Sequence, residues 1–469
     1  MRTPTTAWPR SVYPPTETGI EYLKCTQKNS IIFMSIQSTI RQYSNNPEVK
    51  AIGIYTFSNF FNKGVTFLLL FYFTKVLTEA DFGMLSLFNT SILFVMPFIS
   101  LGILQSVNAD FFKLDKQEYK NFFSTSLLIT VCVTVITMAV LVLFKSYLQQ
   151  KFHFPGIFIT LIPFIAFLSF INEQLVILLR NNKEPQQYFM VNVSRLTIEI
   201  AIAVFLISAM HYGWLGRVAG VLISYVLMAI YSFYYFKKKG YIFGNIKLLY
   251  FKNELLFAVP IITLQVGIFC LGSSAIYYIS HFTNSLQTVG SFSVAATFAS
   301  IVNVFCIALL QYVQPKLYNI FSQKLIDNSA IKKLFIFYAA AMILFTILVI
   351  VVLPFVYHYL LKQTYLPGLK YCYLLCIGQL FWAIAWFFFS WMLYHKEKRK
   401  ILKLSLIAVV VSTAFNWMLT SRYAASGAAF ATIASYAVIL LLVMYFVKPM
   451  LVAIFQKNIL QKNILQNTI

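Results

Sequence analysis

The chain has 469 residues, of which 59% are hydrophobic and only 11% charged, with a net charge of +23. That is too little polar surface for a soluble fold, so lipid has to solvate much of it. The positive charge lies between the apolar runs and leaves no basic folded surface, so no nucleic-acid partner is expected.

Residues 1–50 are polar and carry Pro9, Pro14 and Pro15, without the Arg-flanked apolar core of a signal peptide. Met34 is a second candidate start, because the sequence after it leads straight into the first apolar run. Twelve apolar runs follow, at 52–77, 83–108, 122–147, 155–181, 187–210, 214–236, 254–280, 288–313, 333–357, 368–394, 401–420 and 423–447. Each reaches the ~20 residues a helix needs to cross the hydrocarbon layer. The pattern predicts an all-α polytopic membrane protein of about twelve transmembrane helices. A lysine-rich linker at 238–253 separates six runs from six, and the tail 449–469 repeats Gln-Lys-Asn-Ile-Leu at 456–460 and 461–465.

Basic residues crowd into alternate connections. Lys237, Lys238, Lys239, Lys247 and Lys252 crowd the connection between the halves, and Lys396, Lys398, Arg399, Lys400 and Lys403 join runs ten and eleven. The opposite connections hold only scattered cations, including Lys75, Arg217 and Arg422. The positive-inside rule puts the basic side, and both termini, in the cytoplasm.

The two halves repeat. Gly216 to Lys237 aligns with Gly427 to Lys448, which superposes Ser224-Tyr225 on Ser435-Tyr436 and Tyr234 on Tyr445. Gly83 to Ser86 likewise aligns with Gly290 to Ser293. Six helices per copy gives two lobes of the same sense, 51–237 and 254–448, related by an axis along the membrane normal. The substrate path is expected at their seam.

Polar side chains inside spans are costly and so are the first functional candidates. Asn62 and Lys63 fall in the middle of run one. Arg195 and Glu199 lie one turn apart in run five, which suits either mutual pairing or a substrate role. Glu173, in run four, either carries a coupling H⁺ or Na⁺ or balances Lys63 or Arg195. Gln265, Asn303, Gln311 and Asn416 are neutral candidates for lining the path, or for bonding helix to helix. Cys372 and Cys376 share a helix face without a histidine partner and read as core residues. No phosphate-binding Gly-rich loop, metal-ligand set or acidic catalytic cluster occurs, and the connections on the non-cytoplasmic side are short. No cofactor and no enzymatic activity are therefore expected.

Several segments resemble the oligosaccharide flippases. Thr74 to Gly83 is similar to the family's connection between helices one and two. Leu255 to Pro260, Val289 to Ala295 and Gln311 to Pro315 resemble its segments in helices seven and eight. Asn416, Arg422-Tyr423, Ser426 to Ala429 and Thr432 resemble its closing pattern. The family is that of the O-antigen and capsule repeat-unit (Wzx-type) flippases, within the multidrug/oligosaccharidyl-lipid/polysaccharide exporter superfamily. The likeness spans about 50–448. Two departures stand out: Ser273 to Tyr278 lacks the Asp-Arg pair many members carry, and Ala424 replaces a glycine.

The resemblance implies an undecaprenyl-pyrophosphate-linked oligosaccharide as substrate, moved outward across a bacterial cytoplasmic membrane, with a polysaccharide polymerase as a further partner. Lys63 and Arg195 are then the cations available to the pyrophosphate, with Glu173 and Glu199 as ion-coupling candidates. The rivals are a drug or cation antiporter of the same superfamily and a membrane polymerase. A lipid II-type flippase would need two further helices that the sequence does not show.

Overall fold

The computed structural model describes residues 47–152, 155–323, 327–448 and 450–451. Met34 and the rest of segment 1–46 lie outside the described residues, as does the repeat in the tail. Fourteen α-helices and one 3-10 turn make up the described chain, with no strand among its residues. The first half comprises α1 (Pro47–Val76), α2 (Glu79–Ser100), α3 (Ile103–Asp110), α4 (Lys116–Leu143), α5 (Lys145–Phe152), α6 (Phe158–Asn181), α7 (Pro185–Ser208) and α8 (Gly213–Lys239). The second comprises α9 (Leu248–Gly272), α10 (Ala275–Thr283), α11 (Leu286–Ser322), α12 (Asn328–Tyr359), the turn Gln363–Gly368, α13 (Leu369–Tyr394) and α14 (Lys398–Phe446).

Local sequence sets the helix starts. Thr78 caps α2 in a reciprocal box with Asp81: its hydroxyl accepts from the Asp81 N–H at 3.1 Å, and its own N–H donates to the carboxylate at 3.2 Å. Asp115 accepts from Glu118 N at 2.7 Å to start α4, and Asp327 accepts from Ser329 N and Ala330 N to start α12. Several of the chain's scarce carboxylates thus sit at helix starts, where they also offset the macrodipole.

Nine described helices are long and apolar enough to span a membrane, and one bent pair meets the same criteria when its two pieces are taken together. That bend, 51° between 258–272 and 275–283, breaks the seventh expected run. The second run also breaks: Leu101 (φ 46°) and Gly102 (φ 74°) end α2 and turn α3 away. Runs eleven and twelve form one continuous stretch, α14, reversed at Ala424 (φ 50°, ψ −134°). The reversal shows at Gly427, where an added Cβ would lie 2.9 Å from Thr420 N. Seven residues along a straight helix would be about 10 Å apart. With α14 read as two spans and α1 added, the count is about twelve.

The glycine echo now has a physical cause. Gly216 begins α8 against the end of α7, and a Cβ there would lie 3.2 Å from Ile207 N. Gly427 meets Leu419 and Thr420 in the same way. Each glycine lets a returning helix touch the backbone of the one before it. The peripheral helices correspond as well. α4 and α12 each bury only 22% of their most apolar window, and Leu143 and Val351 are 83% and 68% exposed, as lipid-facing side chains should be. The most central are α6 and α2, at 61% and 56%.

The lysine-rich connection is not a free linker. Gly244 N donates to Ser124 Oγ (2.9 Å), Asn245 N to Asn121 Oδ1 (2.8 Å) and Lys247 N to Thr125 Oγ1 (3.2 Å). Lys247 Nζ and Tyr250 Oη both reach the Glu118 carboxylate, at 2.6 and 2.5 Å. The second half therefore begins docked on α4 of the first.

Candidate substrate-translocation site

The two halves meet most closely where α2 and α11 begin. Gly83 and Gly290, the pair aligned by the repeat, face each other there. A Cβ on Gly83 would lie 3.2 Å from Gly290 N, and one on Gly290 would lie 3.0 Å from Gly83 N. Each added carbon would also overlap a carbonyl oxygen, of Leu286 and Glu79 respectively. The helices cross backbone to backbone, and two glycines are what permit it. At the opposite, basic end, α9 closes on the α2–α3 corner, where Ile261 packs over Gly102 and Ala258 is 2% exposed.

Between these contacts lies a cavity of about 710 Å³. Its walls are α2, with Leu104 of α3, on one side and α9, α10, α11, α13 and α14 on the other. Ser86, Asn89, Thr90 and Leu93 of α2 line it, and so do their repeat partners on α11, Ser293, Ala296, Thr297 and Ser300. Corresponding faces of α2 and α11 thus meet across the cavity. Gln265, Ser273, Asn303, Gln379 and Thr432 add polar groups, and Trp382 and Tyr436 add stacked rings with centroids 5.2 Å apart at 29°. No charged side chain is among the described residues that line the cavity.

Its hydroxyls are oriented. Ser293, Thr297 and Ser300 donate to carbonyls of their own helix at 2.6–2.8 Å, and Thr432 does so to Ala428 O at 2.9 Å. Their lone pairs remain, so the wall presents acceptors to whatever enters. Asn303, Gln265 and Gln379 can both donate and accept.

Of the residues singled out in the sequence, Gln265 and Asn303 line this cavity. The others do not. Gln311 is exposed two turns beyond Asn303 on α11. Asn416 is 1% exposed and donates to Ser412 O at 2.8 Å, while Ser412 donates to Cys270 O at 2.6 Å; this ties α14 to α9. Asn62 is half-buried beside an exposed Lys63.

Arg195 and Glu199 pair at 2.7 Å along α7. Sequence reasoning missed the third member. Arg217, placed above in a connection, lies in the first turns of α8 and reaches the other Glu199 oxygen at 2.5 Å. Arg195 lies over Tyr225 and Arg217 over Phe73, each 5.1 Å from the ring centroid. The signal was present: Arg217 directly follows Gly216, the residue that draws α8 against α7. Glu199 is therefore a shared acceptor locking the α7–α8 hairpin, and the cluster keeps one net positive charge.

Glu173 ion-pairs with no described residue but lies in the field of Arg195 and Arg180. It is exposed in mid-helix on α6.

This helical arrangement is that of the membrane transporters of the MOP superfamily. The lipid II flippase MurJ in an inward closed conformation superposes with a TM-score of 0.64, at 16% identity, over 88% of this chain and 93% of that one. An inward-facing MATE multidrug transporter gives 0.61, at 15% identity, over 83% and 96%. An outward-facing MATE transporter gives only 0.50, at 13% identity, over 86% and 93%. The sequence profile of the polysaccharide biosynthesis protein family matches residues 49–321, more than half of the chain. The chain belongs to that family. Comparison with curated proteins gives no match.

Proposed function

We propose that this protein is a flippase for lipid-linked oligosaccharide. It would carry undecaprenyl-pyrophosphate-linked repeat units from the cytoplasmic to the outer leaflet of a bacterial cytoplasmic membrane, for surface polysaccharide. The observation that carries the reading is the cavity at the seam, which is large, carries hydroxyl and amide groups on an otherwise apolar wall, and has no charged side chain among its described lining residues. A glycan brings many O–H donors, and the wall offers oriented acceptors with amides that work both ways. The Trp382–Tyr436 pair supplies an apolar face for a sugar ring. A cationic drug would instead call for a carboxylate in the cavity, and none is among its described lining residues.

In this reading residues 51–237 and 254–448 are two lobes that rock about the seam. The basic end is cytoplasmic, following the positive-inside rule. Lys63 is the cation that meets the pyrophosphate during passage, and Glu173 is the group that takes up a coupling H⁺ or Na⁺. Arg195 is engaged by Glu199 and keeps α7 and α8 together.

Deletion of the gene tests the assignment. The expected result is loss of surface glycan, with lipid-linked units accumulating on the cytoplasmic leaflet. A lack of polymerase would instead leave single units on the outer leaflet. Undiminished surface glycan would refute the flippase.

A further inference from the structure

Away from the seam, at the basic end of the first half, α1 and the α6–α7 turn frame an open hollow of about 760 Å³. Three exposed cations line it: Lys50 at the start of α1, Arg180 at the end of α6 and Lys183 in the turn. Lys50 and Arg180 make no ion pair with a described residue. Glu173 lies seven residues back from Arg180, about 10 Å along the helix axis, too far to pair with it. Glu184 is the one acid among the described lining residues, and both its oxygens are taken. Lys239 Nζ reaches one at 2.5 Å, and Tyr235 Oη donates to the other at 3.1 Å. No side chain caps α7, so the first-turn N–H groups of Gln186 and Gln187 have no side-chain acceptor. The Tyr55 hydroxyl, on a lining residue, is shielded from solvent without a hydrogen-bond partner among the described residues. The hollow is rich in donors and cations and short of acceptors.

A second open hollow, of about 720 Å³, adjoins the first, and Lys50, Ile54 and Gln186 line both. Its remaining wall is Gly53, Phe57, Phe189 and Met190, with the Phe57 and Phe189 rings stacked at 6.0 Å. Phe57 and Met190 are 57% and 65% exposed. Both α1 and α7 start at the basic end, so these apolar side chains lie deeper along the spans than the cations. No described residue lines both this corner and the seam cavity.

We propose that this corner binds an anionic glycerophospholipid. Its phosphate sits among Lys50, Arg180 and Lys183, and the first part of an acyl chain lies along Phe57, Phe189 and Met190. Charge rules out the chain's own ends as occupants. Residues 1–46 carry five Lys and Arg against two Glu, and residues 452–469 carry two Lys and no acid. A soluble anion has no use for the apolar hollow, and a carrier-linked sugar would find no wall shared with the seam. The lipid has a structural consequence. α1 packs chiefly on α7, and it touches the second half where Phe67 and Phe71 lie 5.6 and 5.8 Å from the Phe298 ring. Bridging Lys50 to the α6–α7 turn clamps the start of this helix to the first half.

The test uses the full chain in phosphatidylcholine vesicles, with a trace of phosphatidylglycerol carrying a diazirine in its acyl chain. Labelling should map by mass spectrometry to Phe57, Phe189 and Met190. Unlabelled phosphatidylglycerol should displace it, and rising salt should weaken it. The combined Lys50→Gln, Arg180→Gln and Lys183→Gln variant should bind about a hundredfold more weakly. The combined Lys396→Gln, Lys398→Gln and Arg399→Gln variant removes the same charge elsewhere on the basic end and should leave labelling unchanged. Equal labelling of lipid-facing Leu344 and Val351 on α12 would overturn the site. Equal displacement by glycerophosphoglycerol or inorganic phosphate would make it a site for a free anion and overturn the lipid. Displacement by undecaprenyl phosphate at lower concentration than by phosphatidylglycerol would make it a carrier site and overturn the assignment as well. The mapping and the competitions are read on the parent protein, so they decide the matter even if a variant does not fold.

Discussion

The two halves share a backbone plan and differ in chemistry. In the first, ionisable groups sit inside the helices: Lys63, Glu173, and the cluster of Arg195, Glu199 and Arg217. In the second, the corresponding interior is neutral, with Gln265, Asn303 and Gln379 around a Trp–Tyr pair. The glycines that shape the fold recur in both halves, because close helix contact is a demand of the architecture. The charges do not recur: the cluster on Glu199 locks one hairpin of the first half, and the matching hairpin of the second is built without it. Comparing the halves therefore separates what builds the scaffold from what gives it a task.

The largest effect should come from breaking the ionic cluster. Glu199→Ala leaves Arg195 and Arg217 without their shared partner in a mostly buried site. It should cost about 3–5 kcal/mol, read as a fall in unfolding temperature in detergent. Glu199→Gln should cost less, since the amide oxygen still accepts a hydrogen bond. If Glu199→Ala unfolds like the parent, the cluster is not what holds α7 to α8.

Next is the seam. Gly83→Leu or Gly290→Leu drives a side chain into the opposing backbone. Either should abolish complementation of a deletion strain and raise the reactivity of a cysteine placed at Ser86 toward an impermeant reagent outside the cell. Unchanged complementation would show that this end does not need to close.

Smaller and more specific is the cavity wall. Gln265→Leu and Asn303→Leu should each lower transport about tenfold, the factor for roughly 1.4 kcal/mol of lost hydrogen bonding. Unfolding temperature should stay within error, because both groups face the chamber. The smallest effect is a gain. Ala424 holds a backbone conformation that suits glycine, so Ala424→Gly should stabilise the protein by about 1 kcal/mol.

Much of this was legible in the sequence, for identifiable reasons. Span length and apolar content are set by the bilayer, so the helix count could be read directly. The echoes at Gly216/Gly427 and Gly83/Gly290 survived because a Cβ at any of these positions meets neighbouring backbone or side chain. Gln265 and Asn303 stood out as amides in apolar runs. The hydroxyls of Ser86, Thr90 and Thr297 did not, because small hydroxyls satisfy themselves within any apolar helix and carry no pattern. Arg217 was hidden by its position near a helix start, where a cation reads as part of a connection. The docking of residues 244–250 on α4 depends on atoms more than a hundred residues away, and no local pattern encodes it.

The central claim is that sugar passes along the neutral seam between α2 and α11. Purified protein in vesicles, given a fluorescent lipid-linked oligosaccharide on one leaflet, tests this most directly. The account predicts rapid exchange to the other leaflet by the parent protein, and loss of exchange in the Gln265→Leu/Asn303→Leu double variant while undecaprenyl phosphate still binds. Exchange at the parental rate in that variant would contradict it.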